Sequence, residues 1–347
     1  MSDYLGLKND GTLFAAREEN AFIQKYNQKW NETMSDTYFK TEQVDVGHKL
    51  RPRLVYWGFT SNSDAKDDHQ LESVAQIAVC IELIHKASLL LDDYIDKDTT
   101  RHARPAFYVE HGPERTMIYS LNLLSKSLEL VNKTYYNNGS FNSFYYRSVN
   151  DITRTLQEMT LGVLRELDLN RQTFMDISEI RRIMDLETSS LITNSLLMGY
   201  YLTGKENLVL ESTLKRVGNN LGFVFQILND MESFFSLKIS DHKGSINNDI
   251  SRDRKNICIP ILFELMSTRE KKTVTREDGT LNEREVVALL QKHGVKELLL
   301  KEVDNNCLQI KRVIKRGRDE YMQRSWGDEF VCFIDSVIAV FRKRIDG

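Results

Sequence analysis

Apolar residues recur at three- and four-residue steps over long stretches of the chain. Leu71, Val74, Ala75, Ala78, Ile81 and Leu83 run in this way into Leu89-Leu90-Leu91. Ile180, Ile183, Met184, Leu191, Leu196 and Leu197 mark a second such stretch, and Val217, Leu221, Val224, Phe225 and Leu228 a third. This spacing stacks the apolar side chains on one face of an α-helix. No stretch alternates with the period of two that a half-buried strand requires. Polar intervals at 60–69, 97–115, 236–256 and 267–283 read as linkers. In the last of them Asp278-Gly279 precedes Asn282 and Glu285, which predicts a turn, an N-cap and a capping box. The expected fold is all-α: one domain over residues 1–347, a bundle of about ten or more helices, with C-terminal helices over 283–347.

Composition agrees with long helices. Only four prolines occur in 347 residues, Pro52, Pro105, Pro113 and Pro260, and each would be costly inside a helix. A net charge of -3 supplies no basic surface for nucleic acid. The four cysteines, Cys80, Cys258, Cys307 and Cys332, form no CxxC pair, which argues against a zinc site or a disulfide framework and suits a reducing cytoplasm. No signal peptide is expected from Met1-Ser2-Asp3-Tyr4, and no stretch is read as reaching the roughly 20 apolar residues of a transmembrane helix.

The chemistry concentrates at the end of the most apolar helix, in Asp92, Asp93 and Asp96. Positions i and i+4 share a helix face, so Asp92 and Asp96 can point the same way. Three carboxylates this close repel one another and call for a compensating cation. Oxygen ligands of this kind suit magnesium bound together with a diphosphate. Taken alone, the triad reads equally well as a solvated acidic helix end.

Four segments in order carry a resemblance. Gly47-His48-Lys49-Leu50-Arg51-Pro52 resembles a G-K-x-x-R-P loop. His85, Ser88, Leu89, Asp92, Asp93 and Asp96, followed by Arg101-His102-Ala103-Arg104-Pro105, resemble H-x-x-S-L-x-x-D-D-x-x-D and R-R-G-x-P. Leu221-Gly222, Phe225-Gln226 and Asn229-Asp230 resemble L-G-x-x-F-Q-x-x-D-D, and Lys243, Asp249, Arg254 and Lys255 follow it. Over roughly residues 45–262 the chain resembles the trans-isoprenyl diphosphate synthases, the polyprenyl synthetase family. The resemblance implies a helical bundle around a deep central cavity and a homodimer. It implies two or three magnesium ions, isoprenoid diphosphate substrates, and elongation of an allylic diphosphate by isopentenyl diphosphate.

It also implies roles. Asp92 and Asp96 would hold metal, supported by Asp93, with Asn229 or Asp230 on the opposite wall beside Gln226. Arg101, Lys243 and Arg254 or Lys255 would grip the allylic diphosphate. His48, Lys49, Arg51, His85 and His102 would form the isopentenyl diphosphate site. Ala87 and Ser88, both small, would open a pocket deep enough for about twenty carbons or more, with Ile84 as its floor.

Four positions depart from the family pattern. Asn229 replaces the leading aspartate of the second motif and brings no charge. His48 and His102 replace a lysine and an arginine, which weakens the isopentenyl site because histidine is mostly neutral at pH 7. Glu187 stands where the family has a lysine. Asn229-Asp230-x-x-Ser233 also resembles part of the N-D-x-x-S-x-x-x-E motif of class I terpene cyclases, and Arg182 with Asp185 has the spacing of their diphosphate sensor. Cyclisation, prenyl transfer to another acceptor, and a non-catalytic partner subunit are therefore the alternatives to elongation.

Overall fold

The structure, a computed structural model, describes residues 15–38, 49–63, 67–101, 104–137, 143–169, 176–236, 256–276, 280–320 and 324–346. Fourteen α-helices occur among the described residues: α1 (Ala15–Ser35), α2 (Leu50–Thr60), α3 (Asp68–Ile95), α4 (Phe107–His111), α5 (Pro113–Asn137), α6 (Ser143–Leu169), α7 (Ile177–Met184), α8 (Ser190–Tyr201), α9 (Leu208–Phe235), α10 (Cys258–Leu265), α11 (Thr268–Val274), α12 (Glu283–Lys292), α13 (Val295–Glu320) and α14 (Arg324–Asp346). A π-turn, Asp185–Ser189, joins α7 to α8. The all-α expectation of about ten or more helices holds.

α3 and α8 form the centre. α3 packs against α1, α2 and α5, and α8 against α2, α6 and α9; α9 is covered in turn by α13 and α14. Val74, Ala75, Ile77, Ala78, Val79, Cys80, Ile81, Leu83 and Ile84 of α3 are fully buried. A helix covered on every side needs apolar residues all round rather than one stripe. This corrects the membrane reading of the sequence: α3 is long and apolar enough to cross a bilayer by length and composition, yet 72% of its most apolar window lies inside the bundle. All four cysteines are free thiols.

Two local expectations are corrected. The interval 97–115 is not simply a linker: it holds the antiparallel pair β1 (Thr100–Arg101) and β2 (Arg104–Pro105), then α4 and the start of α5. Strands of two residues are too short to show a period. The capping box lies on Ser267 and Glu270 at the start of α11, not on Asn282 and Glu285. Asn282 is the N-cap of α12 but makes no side-chain cap bond. The chain reaches it through an extended pairing, with Asn282 N–H donating to Val274 O (2.8 Å) and Thr275 bridging Leu281.

The C-terminal helix is tied to the N-terminal half through aromatic contacts. Trp326 of α14 stacks near Trp57 and Phe330, and its Nε1–H donates to Trp57 O and Thr60 Oγ1, both at 3.1 Å. Arg53 lies over the Phe333 ring at 5.0 Å. Trp326→Ala removes a buried ring and a satisfied donor together, so urea unfolding should show a loss of about 3–5 kcal/mol.

Candidate metal and diphosphate site

The acid motif is set by the way α3 ends. Asp96 is its C-cap, and the next residue, Lys97, takes a left-handed conformation at φ 57°. Lys97 N–H then donates to Tyr94 O (3.3 Å) and Asp98 N–H to Asp93 O (2.9 Å). This pair of bonds is a Schellman termination, which satisfies the last carbonyls and turns the chain sharply. It leaves Asp92 exposed, Asp96 half-buried and Asp93 buried.

Asp93 has a fixed partner. Arg101 on β1 gives it Nε at 2.8 and 2.7 Å and Nη2 at 2.6 Å. Burial works against the Arg101 cation, but the Asp93 carboxylate outweighs it and keeps the guanidinium above its usual pKa. The hairpin therefore locks the second aspartate and leaves Asp92 and Asp96, the two expected metal ligands, at the rim.

The segments that open α2 and run through α3 also meet. Arg51 Nη1 donates to His85 Nε2 at 3.0 Å, which places the ring proton on Nδ1. Burial pushes Arg51 down to about 10, and its Nε is buried with no hydrogen-bond partner. Burial, then the charges of Arg51, Lys86 and Arg101, push His85 well below the ordinary histidine range. Lys49 turns the other way: Nζ donates to Asn27 Oδ1 at 2.7 Å and sits over the Tyr26 ring. Ala87 and Ile84 are fully buried, while Ser88 Oγ donates to its own helix at His85 O (2.8 Å).

The opposite wall is a relay of side chains. Thr188 Oγ1 of the π-turn donates to Gln226 Oε1 (2.7 Å), and Gln226 Nε2 donates to Asp230 Oδ1 (2.8 Å). Asp230 Oδ2 accepts from Ile257 N–H (2.9 Å), and its backbone carbonyl accepts from Asn256 Nδ2 (2.8 Å). Asp230 is buried, while Asn229 is half-exposed. Beside Thr188, Glu187 points into the same region. Its pKa is pushed up to about 10, first by burial and then by the carboxylates of Glu166, Asp92, Asp96 and Asp230. That set of neighbours places both acidic walls around one region. Among the described residues, no three histidines, cysteines or carboxylates lie close enough to hold one ion unaided. Their chemistry nevertheless fits a hard divalent cation shared with diphosphate oxygens, and Glu187 Oε1 is buried with no partner.

The sequence profile of the polyprenyl synthetase family matches residues 28–292. The chain belongs to that family. It is 26% identical over 168 residues to the hexaprenyl pyrophosphate synthase of Saccharolobus solfataricus, covering 48% of this chain and 53% of that protein. It is 28% identical over 189 residues to the geranylgeranyl diphosphate synthase of Methanosarcina mazei, covering 54% and 55%. The chain thus spans about half the length of these curated relatives. Its fold matches a crystal structure of a geranylgeranyl pyrophosphate synthase with a TM-score of 0.79 at 16% identity, covering 92% and 98%. It also matches the Caulobacter crescentus polyprenyl synthase complexed with calcium and isoprenyl diphosphate, with a TM-score of 0.78 at 17% identity, covering 96% and 99%.

Within this polyprenyl synthetase chain, His48, His102, Lys243, Arg254 and Lys255 lie outside the described residues. Reasoning from the sequence missed Thr188, Asn256 and the Ile257 N–H, because their roles depend on contacts between helices distant in sequence. Arg182 and Asp185, the expected sensor pair of a cyclase, are both exposed, and Asp185 lines a polar groove with Arg154 and Lys215.

Because His85 is neutral when folded, its folded pKa lies below its unfolded value near 6.5. The unfolded chain then binds more protons as pH falls, so this group favours the fold above that value and opposes it below. His85→Gln keeps an acceptor for Arg51 but cannot protonate. Melting curves from pH 7 to 5 should fall less steeply for the variant than for the wild type; equal slopes would remove His85 as the cause.

Proposed function

We propose that this polyprenyl synthetase condenses an allylic isoprenoid diphosphate with isopentenyl diphosphate to give a longer polyprenyl diphosphate. The observation that carries this reading is the meeting of two acidic walls, Asp92 and Asp96 with Asp230, beside a half-buried Arg51–His85 pair. One subsite is anionic and suits a metal-bound diphosphate; the other is cationic and suits a second diphosphate.

Asp92 and Asp96 would hold magnesium on the α3 side, with Asn229 and the relay-held Asp230 on the α9 side. Magnesium, when bound, neutralises the charge that builds on the departing diphosphate. Asp93 and Arg101 keep the α3 carboxylates in place. Arg51 offers its unpartnered Nε to the second diphosphate, a charge-assisted bond that would satisfy a buried donor. Lys49 is engaged by Asn27, so Arg51 carries most of that role. The allylic C–O bond breaks and its electron pair leaves with diphosphate. The isopentenyl double bond supplies the electrons of the new C–C bond, and the proton lost in closing the product alkene passes to the released diphosphate. Apolar walls such as Ile84 and Ala87 keep water from the cation.

The reading extends to assembly and setting. Met117, Ile118, Leu121 and Leu128 leave an exposed apolar stripe on α5, and Leu161, Leu164 and Leu167 another on α6, which supports a homodimer. The four free thiols suit a cytoplasmic location.

Purified protein given geranyl, farnesyl or geranylgeranyl diphosphate with magnesium should lengthen one of them only when isopentenyl diphosphate is present. A terpene hydrocarbon or alcohol from the allylic substrate alone would instead establish a cyclase. Asp92→Asn should lower kcat by about 100-fold or more at unchanged stability. Ala87→Phe should shorten the longest product resolved by chromatography; an unchanged length would show that the pocket does not run past this position.

A further inference from the structure

The π-turn Asp185–Ser189 presents an acidic residue where the family pattern has a cation. Glu187 is held there from two sides by backbone that comes unusually close. A Cβ on Gly162 of α6 would lie 2.5 Å from Glu187 Cγ, and one on Gly222 of α9 would lie 2.4 Å from Ser189 Cα. Only glycine allows both helices to close on the turn. The adjacent Thr188 is bonded to Gln226, so the register of Glu187 against α9 is set as well. A π-turn adds one residue to a helical turn and re-aims the side chains within it, and such turns are frequent at functional sites.

The carboxylate placed in this way has no structural partner that would explain it. Its Oε1 is sealed from solvent and unpartnered, and the groups around it are the carboxylates of Glu166, Asp92, Asp96 and Asp230. A buried carboxylate among like charges is costly without a cation, and it repels a bare diphosphate. The neighbouring departure has the opposite sign: Asn229 removes a negative charge from α9. The two substitutions together move anionic charge from α9 to the α7–α8 turn.

We propose that Glu187 is a ligand of the divalent metal cluster, supplying from the α7–α8 turn the charge that Asn229 omits, so that the allylic diphosphate is held there through a metal ion instead of a lysine. This inference rests on the metal-and-diphosphate reading of the site given above. The ion is shared between Glu187 and diphosphate oxygens, in keeping with magnesium's habit of taking one or two carboxylates together with substrate phosphates.

The test is manganese binding by the full chain in the presence of inorganic diphosphate, followed by electron paramagnetic resonance and titration calorimetry. Glu187→Gln and Glu187→Lys should each lose a tight manganese ion or weaken it by at least about tenfold. Asp176→Asn, which keeps a capping side chain on the exposed start of α7, should bind as wild type does. Glu187→Lys should also gain a second metal-independent site for inorganic diphosphate, beyond the Arg51 subsite, which the wild type should not show. A glutamine side chain reproduces a neutral carboxylic acid in shape and donor capacity. Wild-type manganese binding by Glu187→Gln would therefore mean that Glu187 acts as a neutral donor, and would overturn the assignment. Melting curves identify a variant that fails to fold, and the near-isosteric glutamine decides if lysine is not tolerated. Chain elongation with manganese binding indifferent to Glu187 would sink this inference alone. Glu187-dependent manganese binding with no elongation of any allylic diphosphate would sink the synthase reading and leave the metal ligand standing.

Discussion

The site is governed by the presence of several carboxylates from different helices around one region of an apolar bundle. Asp92 and Asp96 from α3, Asp230 from α9 and Glu166 from α6 contribute to one negative potential, which together with burial pushes the pKa of Glu187 in the π-turn up. At an effective dielectric near 20, two charges 4 Å apart repel by about 4 kcal/mol, and water is scarce at buried positions. Groups neutralised within the protein, such as Asp93 by Arg101, ease that repulsion. Much of the local structure can be understood as the means by which that easing is achieved.

Two of the carboxylates face inward and are held by partners within the protein. Asp93 takes three contacts from the Arg101 guanidinium, and Asp230 takes one bond on each oxygen, from Gln226 and from the Ile257 N–H. Each is a positioning group: neutralising it in place fixes the backbone that carries its neighbour. Asp93 anchors the turn that presents Asp92 and Asp96, and Asp230 anchors the turn that presents Asn229. The anchors reach forward along the chain: Asp93 to the β1–β2 hairpin eight residues on, and Asp230 to the segment before α10, 26 and 27 residues on. Each acid motif is thus fixed at one buried residue, with Asp92, Asp96 and Asn229 nearer the surface.

The sequence discloses the helical core well and the site in part. Apolar runs such as Ile77–Ile81 are legible because burial on every side of the helix calls for apolar residues all round. The α3 motif is legible because its spacing carries the chemistry directly. The left-handed Lys97 is not, since a helix stop of this kind is ordinarily signalled by glycine or asparagine, and here lysine occupies it. The π-turn is likewise silent: its residues, Asp-Leu-Glu-Thr-Ser, read as one more helical turn, and only the two glycines of α6 and α9 that press on it hint at its shape. Lys49 was expected to face a diphosphate because it adjoins the family lysine position, yet its own left-handed backbone directs it to Asn27. Helix caps failed for a similar reason: Asn282 has the right chemistry but is reached through an extended pairing that leaves its side chain out of the cap.

The two halves of the site differ in what holds an anion, and that difference gives the departures a common sense. On the Arg51 side the potential is positive without any metal, since Arg51, Lys86 and Arg101 all act to keep His85 uncharged. A neutral histidine is no loss there: its Nε2 orients Arg51, and under the proposed function the permanent cation would do the binding. On the Asp92 side the potential is negative, and under the proposed function a diphosphate would enter there together with divalent cations. Replacing a lysine by Glu187 sharpens that contrast instead of blurring it. If both subsites were cationic, each would accept either diphosphate, and the allylic and homoallylic substrates could exchange places. Under the proposed function, with one subsite dependent on metal and the other on guanidinium, the two anions would be sorted by what accompanies them before any feature of their hydrocarbon chains is felt.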